Sequence, residues 1–258
     1  MLKEIVTAIQ SYFRAHRFIR QHRLWKWIIV PGIIYTLLFL AGMYFFWSSS
    51  GQVVSYFTKV SGLERWMHEQ RNELLSFLFL MGSIMIRLIM MLFYFSLFKY
   101  VFLIIGSPLF AYLSEKTESI IEGKDFPFSF SQLGKDIWRG IRLALRNALW
   151  QTVYMFSILL LSLIPLVGWI TPLIGLFMEC YYYGFSMVDY SLERNKLSPA
   201  ASIDFISHHK GLAIGNGLMF YLMHALPVVG WVLAPAYAVI AATLSLYKVK
   251  GLNYSVKA

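Results

Sequence analysis

The sequence has a single cysteine, few charged residues and none of the common catalytic motifs. Cys180 has no second cysteine to pair with, so an intramolecular disulfide and a cysteine-based metal cluster are both excluded. A Ser-centred nucleophile elbow, a His-Glu-x-x-His helix and a glycine-rich phosphate loop are absent, and the adjacent His208 and His209 diverge on a helix as surface residues do. The sequence therefore predicts neither an enzyme nor a protein that holds a cofactor or a metal ion.

Charge is scarce and hydrophobic residues are abundant. Only 14% of the 258 residues are charged and 58% are hydrophobic. Soluble domains average about 25% charged and about 45–50% apolar residues. The apolar residues form long runs without a Pro-, Gly- or Ser-rich linker, so residues 1–258 are predicted to form one membrane domain. The net charge of +10 comes from bases at the edges of these runs. This placement favours membrane lipids with anionic headgroups as partners and disfavours nucleic acid.

The N-terminal segment, residues 1–26, carries six basic side chains and one acid. Four arginines recur at every third residue and gather along one side of a helix, while Ile5, Ile9 and Phe13 supply apolar contacts. We expect an amphipathic helix on the cytoplasmic membrane surface, with a nucleic-acid-binding arm as the weaker alternative. The four arginines are Arg14, Arg17, Arg20 and Arg23.

The first predicted span covers residues 27–47, with Trp27 and Trp47 at its ends, where aromatic belts form. Its apolar run of about 20 residues exceeds the roughly 7–15 of a cleavable signal peptide, so we expect it to remain as an anchor. Residues 48–73 carry equal numbers of acids and bases. Since the basic excess precedes the span, the rule that cytoplasmic loops are positive places the N-terminus inside.

Residues 74–122 are predicted to form a long, broken second span. Their first apolar part, residues 74–105, would extend about 48 Å as a helix, beyond a hydrocarbon core of about 30 Å. Gly106-Ser107-Pro108 predicts a break before the helical pattern resumes. Residues 129–147 predict a second surface helix whose basic stripe contacts lipid phosphates or, in a second role, positions anions at a pore mouth. The stripe consists of Lys135, Arg139, Arg142 and Arg146.

The C-terminal half repeats one pattern: a proline, a Val-Gly-Trp centre and a second proline. The first proline is expected to end one helical arm, the glycine to permit a turn, and the second proline to occupy the first turn of the next arm. Each copy could be a loop that joins two full spans or the tip of a re-entrant hairpin. We favour hairpins over residues 148–190 and 212–248 that enter from the cytoplasmic side, because residues 212–226 are too short for a full span and the tips carry no charge. The predicted fold is thus an all-α integral membrane protein with two long transmembrane helices, two re-entrant (hemi-penetrating) helical hairpins and amphipathic surface helices. The tip residues are Pro165, Gly168, Pro172, Pro227, Gly230 and Pro235.

Ionisable side chains at apolar depth are costly in a membrane and point to function. Arg87 lies far from either charged end of its segment, and Glu179 in the first hairpin is its candidate partner, as a structural pair or as part of an ion pathway. His224 is expected to be a satisfied structural histidine. Helices that start within the membrane near Thr171 and Thr243 would present free N–H groups to an anion, and Thr171 could supply a hydroxyl N-cap.

Three segments carry a family resemblance. Residues 107–118 contain a Pro-Leu-Phe start and two later glutamates, residues 189–195 begin with Asp-Tyr, and residues 226–243 run from Leu-Pro to Ala-Ala-Thr. In this order they resemble the CysZ-type sulfate permeases, which belong to the etoposide-induced-protein family of membrane proteins. The family-motif residues are Pro108, Glu115, Glu118, Asp189 and Tyr190.

The resemblance implies a multi-pass protein of the bacterial inner membrane that forms a homo-oligomer and passes sulfate or a similar inorganic oxyanion for cysteine synthesis. The family's sulfate-contacting Gly-Ile/Leu-Arg-Arg run corresponds here to Arg23-Leu24-Trp25-Lys26, so Arg23 and Lys26 are the expected anion-binding residues. Four residues, Arg87, Glu179, Thr171 and Thr243, would line the path or balance charge. The alternative is a non-transporting membrane organiser or partner-binding protein, which would tolerate the loss of Arg87.

Overall fold

A computed structural model describes residues 1–60, 73–124, 130–162 and 170–249, and every regular element in these ranges is an α-helix. The predicted all-α class is confirmed. Within the described residues two stretches are long and apolar enough to cross a membrane, Trp25–Gln52 and Val229–Val249. The helices are α1 (Leu2–Gln21), α2 (Trp25–Val60), α3 (Glu73–Glu122), α4 (Phe130–Ser162), α5 (Thr171–Arg194), α6 (Pro199–His208), α7 (Lys210–His224) and α8 (Val229–Val249).

The chain divides into two compact units. The first unit consists of Met1–Thr36 and Tyr100–Ala258, and the second of Leu37–Lys99. All the polar sites described below lie in the first unit.

The second unit is an antiparallel pair made of the later part of α2 and the earlier part of α3. The ring of Phe39 meets that of Phe98 with centroids 5.9 Å apart, and the ring of Phe46 meets that of Tyr94 at 5.2 Å. Because the residue numbers rise on one helix as they fall on the other, the two helices run in opposite directions. Gly42 lies between these contacts, where a Cβ would come within 1.8 Å of the Tyr94 hydroxyl, so the glycine leaves room for the Tyr94 ring in its present position.

The first unit is centred on α5, α7 and α8, with α1 packed on α7 and α8, and α4 packed on α5. The backbones of α5 and α7 nearly touch. A Cβ on Gly184 would lie 1.9 Å from the carbonyl oxygen of Ala213, and a Cβ on Gly217 would lie 1.9 Å from that of Cys180. Small residues allow this approach, which is how many helix pairs in membranes gain van der Waals contact.

One face of α1 packs on protein, which the sequence did not predict. The Tyr12 hydroxyl donates to the carbonyl of Asn216 on α7 at 2.8 Å, and the Glu4 carboxylate accepts from the backbone N–H of Gly211 at 3.1 Å. Phe13, predicted to lie on the apolar contact face, is 65% exposed, because the buried stripe follows a different set of positions. The buried residues of α1 are Ala8, Ser11, Tyr12, Ala15, Phe18 and Ile19.

The predicted break at Gly106-Ser107-Pro108 is wrong, since α3 continues through Pro108 to Glu122. A proline inside a helix leaves the carbonyl four residues earlier, that of Ile104, without its usual N–H donor. The Ser107 hydroxyl donates to this carbonyl at 2.9 Å. A neighbouring side chain thus replaces the missing bond, which lets the helix continue.

The second repeat copy forms a tight turn between α7 and α8. Pro227 lies in this turn, and a Cβ on Gly230 would come within 1.9 Å of the carbonyl oxygen of Met223. Val228 adopts a positive φ of 61°, which is unusual for a β-branched residue. Pro235 lies inside α8 and not in its first turn, so the predicted start of the second arm at Pro235 is wrong.

The first repeat copy is described only in its second part. Pro172 lies in the first turn of α5, as predicted, while Pro165 and Gly168 fall outside the described residues. The predicted surface helix and the first arm of this hairpin are one continuous helix, α4. In the same way α2 continues beyond the predicted first span as far as Val60.

Candidate functional site

The turn between α1 and α2 closes the C-terminus of α1. The N–H of Leu24 donates to the carbonyl of Ile19 at 3.1 Å, and Arg23 adopts the left-handed conformation with φ 53°. This is the Schellman arrangement, in which glycine is favoured at the left-handed position and an apolar contact joins the residues on either side. Leu24 and Ile19 supply that buried contact. The geometry explains a glycine at this place in the family pattern, where this chain has Arg23.

Both predicted anion-binding side chains are exposed at this turn. Arg23 and Lys26 lie on the surface, and residues 21–26 contain no acid. A guanidinium and an ammonium group three residues apart can together bind an oxyanion, the first as a fork and the second as a point charge.

Two histidines flank the turn. The Nδ1 of His16 lies 2.7 Å from the Tyr237 hydroxyl of α8, and the His16 ring meets that of Trp25 edge to face, with centroids 6.4 Å apart. Burial lowers the pKa of His22, whose ring packs against Phe18. His22 is therefore neutral at neutral pH, and the positive charge of the turn comes from Arg23 and Lys26.

The three family-motif segments meet in what we call the motif cluster, formed by the later part of α3, the end of α5 and α8. Glu115 pairs with Arg194 at 3.3 Å, and Glu118 accepts from the side-chain amide of Asn195 at 3.1 Å. The hydroxyl groups of Ser191 and Thr243 are 2.7 Å apart, and Ser114 lies 3.2 Å from the first and 3.4 Å from the second.

Arg139 extends the motif cluster to α4 and corrects the predicted basic stripe. Its guanidinium pairs with Asp189 at 2.8 Å and with Glu193 at 3.6 Å, and also donates to Ser202 and to the Leu197 carbonyl. Its side chain is only 12% exposed, so it does not contact lipid phosphates. The remaining motif residue, Tyr190, donates through its hydroxyl to the carbonyl of Leu103 at 3.2 Å.

Charge makes the motif cluster a poor anion site. Its two guanidinium groups, Arg139 and Arg194, are in direct ion pairs with three carboxylates, Asp189, Glu193 and Glu115. An excess of fixed negative charge repels an oxyanion. The cluster therefore joins four helices, and its charge disfavours a role in binding an anion.

Four polar residues among the apolar helices form what we call the deep polar cluster. Glu179 on α5 accepts hydrogen bonds from the Gln151 amide on α4 and, at 2.9 Å, from the Tyr221 hydroxyl on α7. The amide oxygen of Gln151 in turn accepts from the Tyr100 hydroxyl of α3 at 2.5 Å. Each donor in this series of hydrogen bonds points toward the Glu179 carboxylate. Dipoles arranged in this way stabilise a carboxylate that lies among apolar helices.

At the end of α3, Glu122 accepts a hydrogen bond from the Tyr247 hydroxyl at 2.5 Å and lies 3.4 Å from the Lys124 ammonium group. The bond from Tyr247 is the main reason that the pKa of Glu122 is lowered, and Lys124 contributes in the same direction. The ionised form of Glu122 thus ties α3 to α8.

Among the described residues, the predicted pathway residues Glu179 and Thr243 lie in different clusters. The side chain of Arg87 lies outside the described residues, so its pairing with Glu179 stays a prediction. Thr171 is the buried first residue of α5, and the N-cap is Ile170 without a side-chain bond, so the predicted hydroxyl cap is wrong. Thr243 is fully buried near the end of α8 and not at a helix start.

Sequence reasoning found some polar contacts and missed others. His224 lies 2.6 Å from the Tyr35 hydroxyl, which confirms a satisfied structural histidine. Gln151 and Tyr221 were missed as partners of Glu179. Both are polar side chains inside apolar runs, and that signal was available in the sequence. Arg139 could not be separated from its stripe, because its partner Asp189 is fifty residues away in the chain.

Comparison with known proteins places these features in a family. Residues 11–235 match the family described as Sulfate transporter CysZ/Etoposide-induced protein 2.4. Proteins named Sulfate transporter CysZ are similar to this chain in Pseudomonas fluorescens strain Pf-5 (28% identity, 58% of this chain and 61% of the relative), Pseudomonas syringae pv. tomato strain DC3000 (27%, 69% and 71%) and Pseudomonas aeruginosa strain LESB58 (30%, 71% and 75%). The matched region spans about three fifths to three quarters of these relatives. The chain belongs to the Sulfate transporter CysZ/Etoposide-induced protein 2.4 family of membrane proteins.

Proposed function

We propose that this protein is a membrane permease for sulfate or a closely related oxyanion and that it supplies sulfur for cysteine synthesis. The observation that carries the proposal is the exposed pair of cations, Arg23 and Lys26, on a turn without acids in a chain whose relatives are named sulfate transporters. A doubly charged anion is attracted by two adjacent cations, and desolvation is modest at an exposed turn.

The proposed topology is multi-pass in a bacterial inner membrane, with the N-terminus in the cytoplasm. The first span runs from Trp25, and residues 148–190 and 212–248 form re-entrant hairpins. The length of α7 supports the second hairpin, because its 15 residues extend about 22 Å, short of a hydrocarbon core of about 30 Å. Exposed apolar side chains at the tip, Leu226 and Val228, fit a lipid environment better than water.

Within this proposal the deep polar cluster and the motif cluster have different roles. Glu179 balances charge beside the path, held by Gln151 and Tyr221. Arg87 and Thr171 remain proposed pathway or supporting residues, Thr243 supports the packing of α8 within the motif cluster, and a homo-oligomer would complete a cavity around the hairpins. The motif cluster holds α3, α4, α5 and α8 in register.

Uptake of radiolabelled sulfate into proteoliposomes tests the proposal. The left-handed turn offers a clean variant, because Arg23→Gly removes the guanidinium and also relieves about 1 kcal/mol of backbone strain. We expect Arg23→Gly to keep or raise thermal stability while uptake at low sulfate falls at least several-fold. Lys26→Ala should reduce uptake in the same way.

Lys196 provides the matched control. It too is an exposed base with a positive φ, 60°, in a Schellman turn, where the N–H of Leu197 donates to Leu192. Lys196→Gly should relieve similar strain and leave uptake unchanged. Full uptake by both Arg23→Gly and Lys26→Ala would move the capture site elsewhere. A folded wild-type protein that passes no sulfate, and never restores growth of an uptake-deficient bacterium at limiting sulfate, would overturn the proposed function.

A further inference from the structure

The outward face of α4 carries basic and aromatic side chains that no part of the proposed path uses. Lys135, Trp138 and Arg142 are exposed, with Trp138 at 69%, and Arg146 is partly exposed. Their spacings of 3, 4 and 4 residues place them on one side of the helix. Arg139, which lies at the edge of this side, points inward to Asp189. The three remaining bases and Trp138 are called the α4 basic face below.

The same side of α4 changes character abruptly one turn later. Leu149, Val153, Phe156 and Leu160 are all exposed, and none of the residues from 147 to 162 is charged. A helix surface that passes from cations and an indole to uncharged, mainly apolar side chains matches the boundary between lipid headgroups and acyl chains.

The charge of the α4 basic face is available to a ligand. Within the described ranges none of Lys135, Arg142 and Arg146 is in an ion pair, and Arg146 donates to the neutral side chain of Asn147 at 3.0 Å. Arg142 and Arg146 are one turn apart, about 6 Å along the axis. This separation lets two guanidinium forks approach one phosphodiester from the same side.

We propose that the α4 basic face is a binding site for an anionic phospholipid. Arg142 and Arg146 hold the phosphodiester, Lys135 adds electrostatic attraction about two turns beyond Arg142, and Trp138 lies at the headgroup level. The acyl chains follow Leu149 and Val153. Charge complementarity selects an anionic lipid over a zwitterionic one, and the uncharged, mainly apolar continuation selects a lipid over a soluble anion. The site is independent of the substrate that the protein passes.

Thermal unfolding of the full-length protein in detergent, with native mass spectrometry of retained lipid, tests this site. Added phosphatidylglycerol should raise the midpoint of the wild type by about 5 °C, because a ligand that binds only the folded state stabilises it. Phosphatidylcholine should have little effect. Arg142→Gln should lose at least half of the gain, and the combined Lys135→Gln, Arg142→Gln and Arg146→Gln variant nearly all of it, together with the retained lipid.

Lys248→Gln is the matched control, since it removes one exposed base from α8. It should keep the full gain from phosphatidylglycerol. The single Arg142→Gln variant keeps the test decisive if the triple variant fails to fold. A full gain in Arg142→Gln, an equal loss in Lys248→Gln, or an equal gain from phosphatidylcholine would each overturn the proposal. An equal gain from soluble glycerol phosphate would show a phosphate site without lipid and would overturn it as well.

Discussion

The helices that flank the two copies of the Pro, Val-Gly-Trp, Pro pattern differ in burial. In the second copy, α8 is buried at every position from Ala234 to Tyr247. In the first copy, the end of α4 and the start of α5 expose most of their apolar side chains, among them Phe156, Leu173 and Phe177. Both helical pairs are apolar, so hydropathy alone does not separate them.

The difference shows that a repeated sequence pattern leaves the role of its arms undetermined. The second pair forms the core on which α1 and α5 pack, because its glycines and alanines allow close contact. The first pair carries larger side chains outward, where lipid or detergent covers them. Substitutions of the same kind should therefore have unequal effects in the two copies.

The largest difference is expected for alanine substitution of helix glycines. Gly217→Ala would place a Cβ 1.9 Å from the Cys180 carbonyl oxygen, and backbone atoms of two packed helices cannot move apart cheaply. We expect a loss of about 3 kcal/mol or more, or failure to fold. A Cβ on Gly175, in the first copy, meets nothing within 4 Å, so Gly175→Ala should be neutral or stabilising by up to about 1 kcal/mol. Thermal unfolding in detergent compares the two, and equal losses would contradict the close approach of α5 and α7.

Leucine truncation gives the next largest difference. Leu246 in α8 is fully buried, whereas Leu173 at the start of α5 is 55% exposed. Leu246→Ala should cost about 3 kcal/mol through lost contacts and a residual cavity. Leu173→Ala should cost under about 1 kcal/mol, because detergent covers this side chain in the folded protein. A similar cost for both would mean that a second copy of the chain or another partner buries Leu173.

Much of the helical architecture could be predicted, because apolar runs and their flanking charges depend on local sequence. The turn at Pro227 and the helix start near Pro172 followed from proline chemistry alone. The continuation of α3 through Pro108 did not, since it depends on whether a neighbouring hydroxyl reaches one carbonyl group. Proline patterns therefore indicate where a helix can break and not that it does break.

The site was less predictable than the fold. Arg23 and Lys26 were predicted from the family resemblance. The left-handed conformation of Arg23 is visible only in the backbone φ angle of the structure. The convergence of Glu115 with Arg194 joins segments far apart in the chain, so no local pattern contains it. α1 presents apolar residues on more than one side, and only the packing of α7 and α8 decides which side is buried.

The deep polar cluster tests whether the two repeat copies are coupled, because Gln151 and Glu179 flank the first and Tyr221 precedes the second. Gln151→Leu removes the amide donor to Glu179 and leaves the Tyr100 hydroxyl without this acceptor. We expect a loss of about 2 kcal/mol, since hydrogen bonds to charged groups are the stronger ones. Thr152→Val, on the adjacent exposed position of α4, should change stability by no more than about 0.5 kcal/mol. Equal effects would mean that the cluster is not a structural connection between the copies.

The smallest expected effect concerns the far end of α8 and depends on pH. Tyr247→Phe removes the hydrogen bond that lowers the pKa of Glu122 below its ordinary value of 4.5. Because the folded state favours the ionised carboxylate, this contribution is fully present above pH 4.5 and is lost as pH falls through the lowered pKa. The Glu122 side chain is 32% exposed, so solvent screening keeps the expected loss at pH 7 near 1 kcal/mol. The difference between wild type and Tyr247→Phe in thermal unfolding should shrink steadily below pH 4.5, and in a Glu122→Gln background it should show no dependence on pH. A difference that persists unchanged at pH 3, or one that survives the Glu122→Gln substitution with its pH dependence intact, would assign the effect to packing of the Tyr247 ring and not to the charged hydrogen bond.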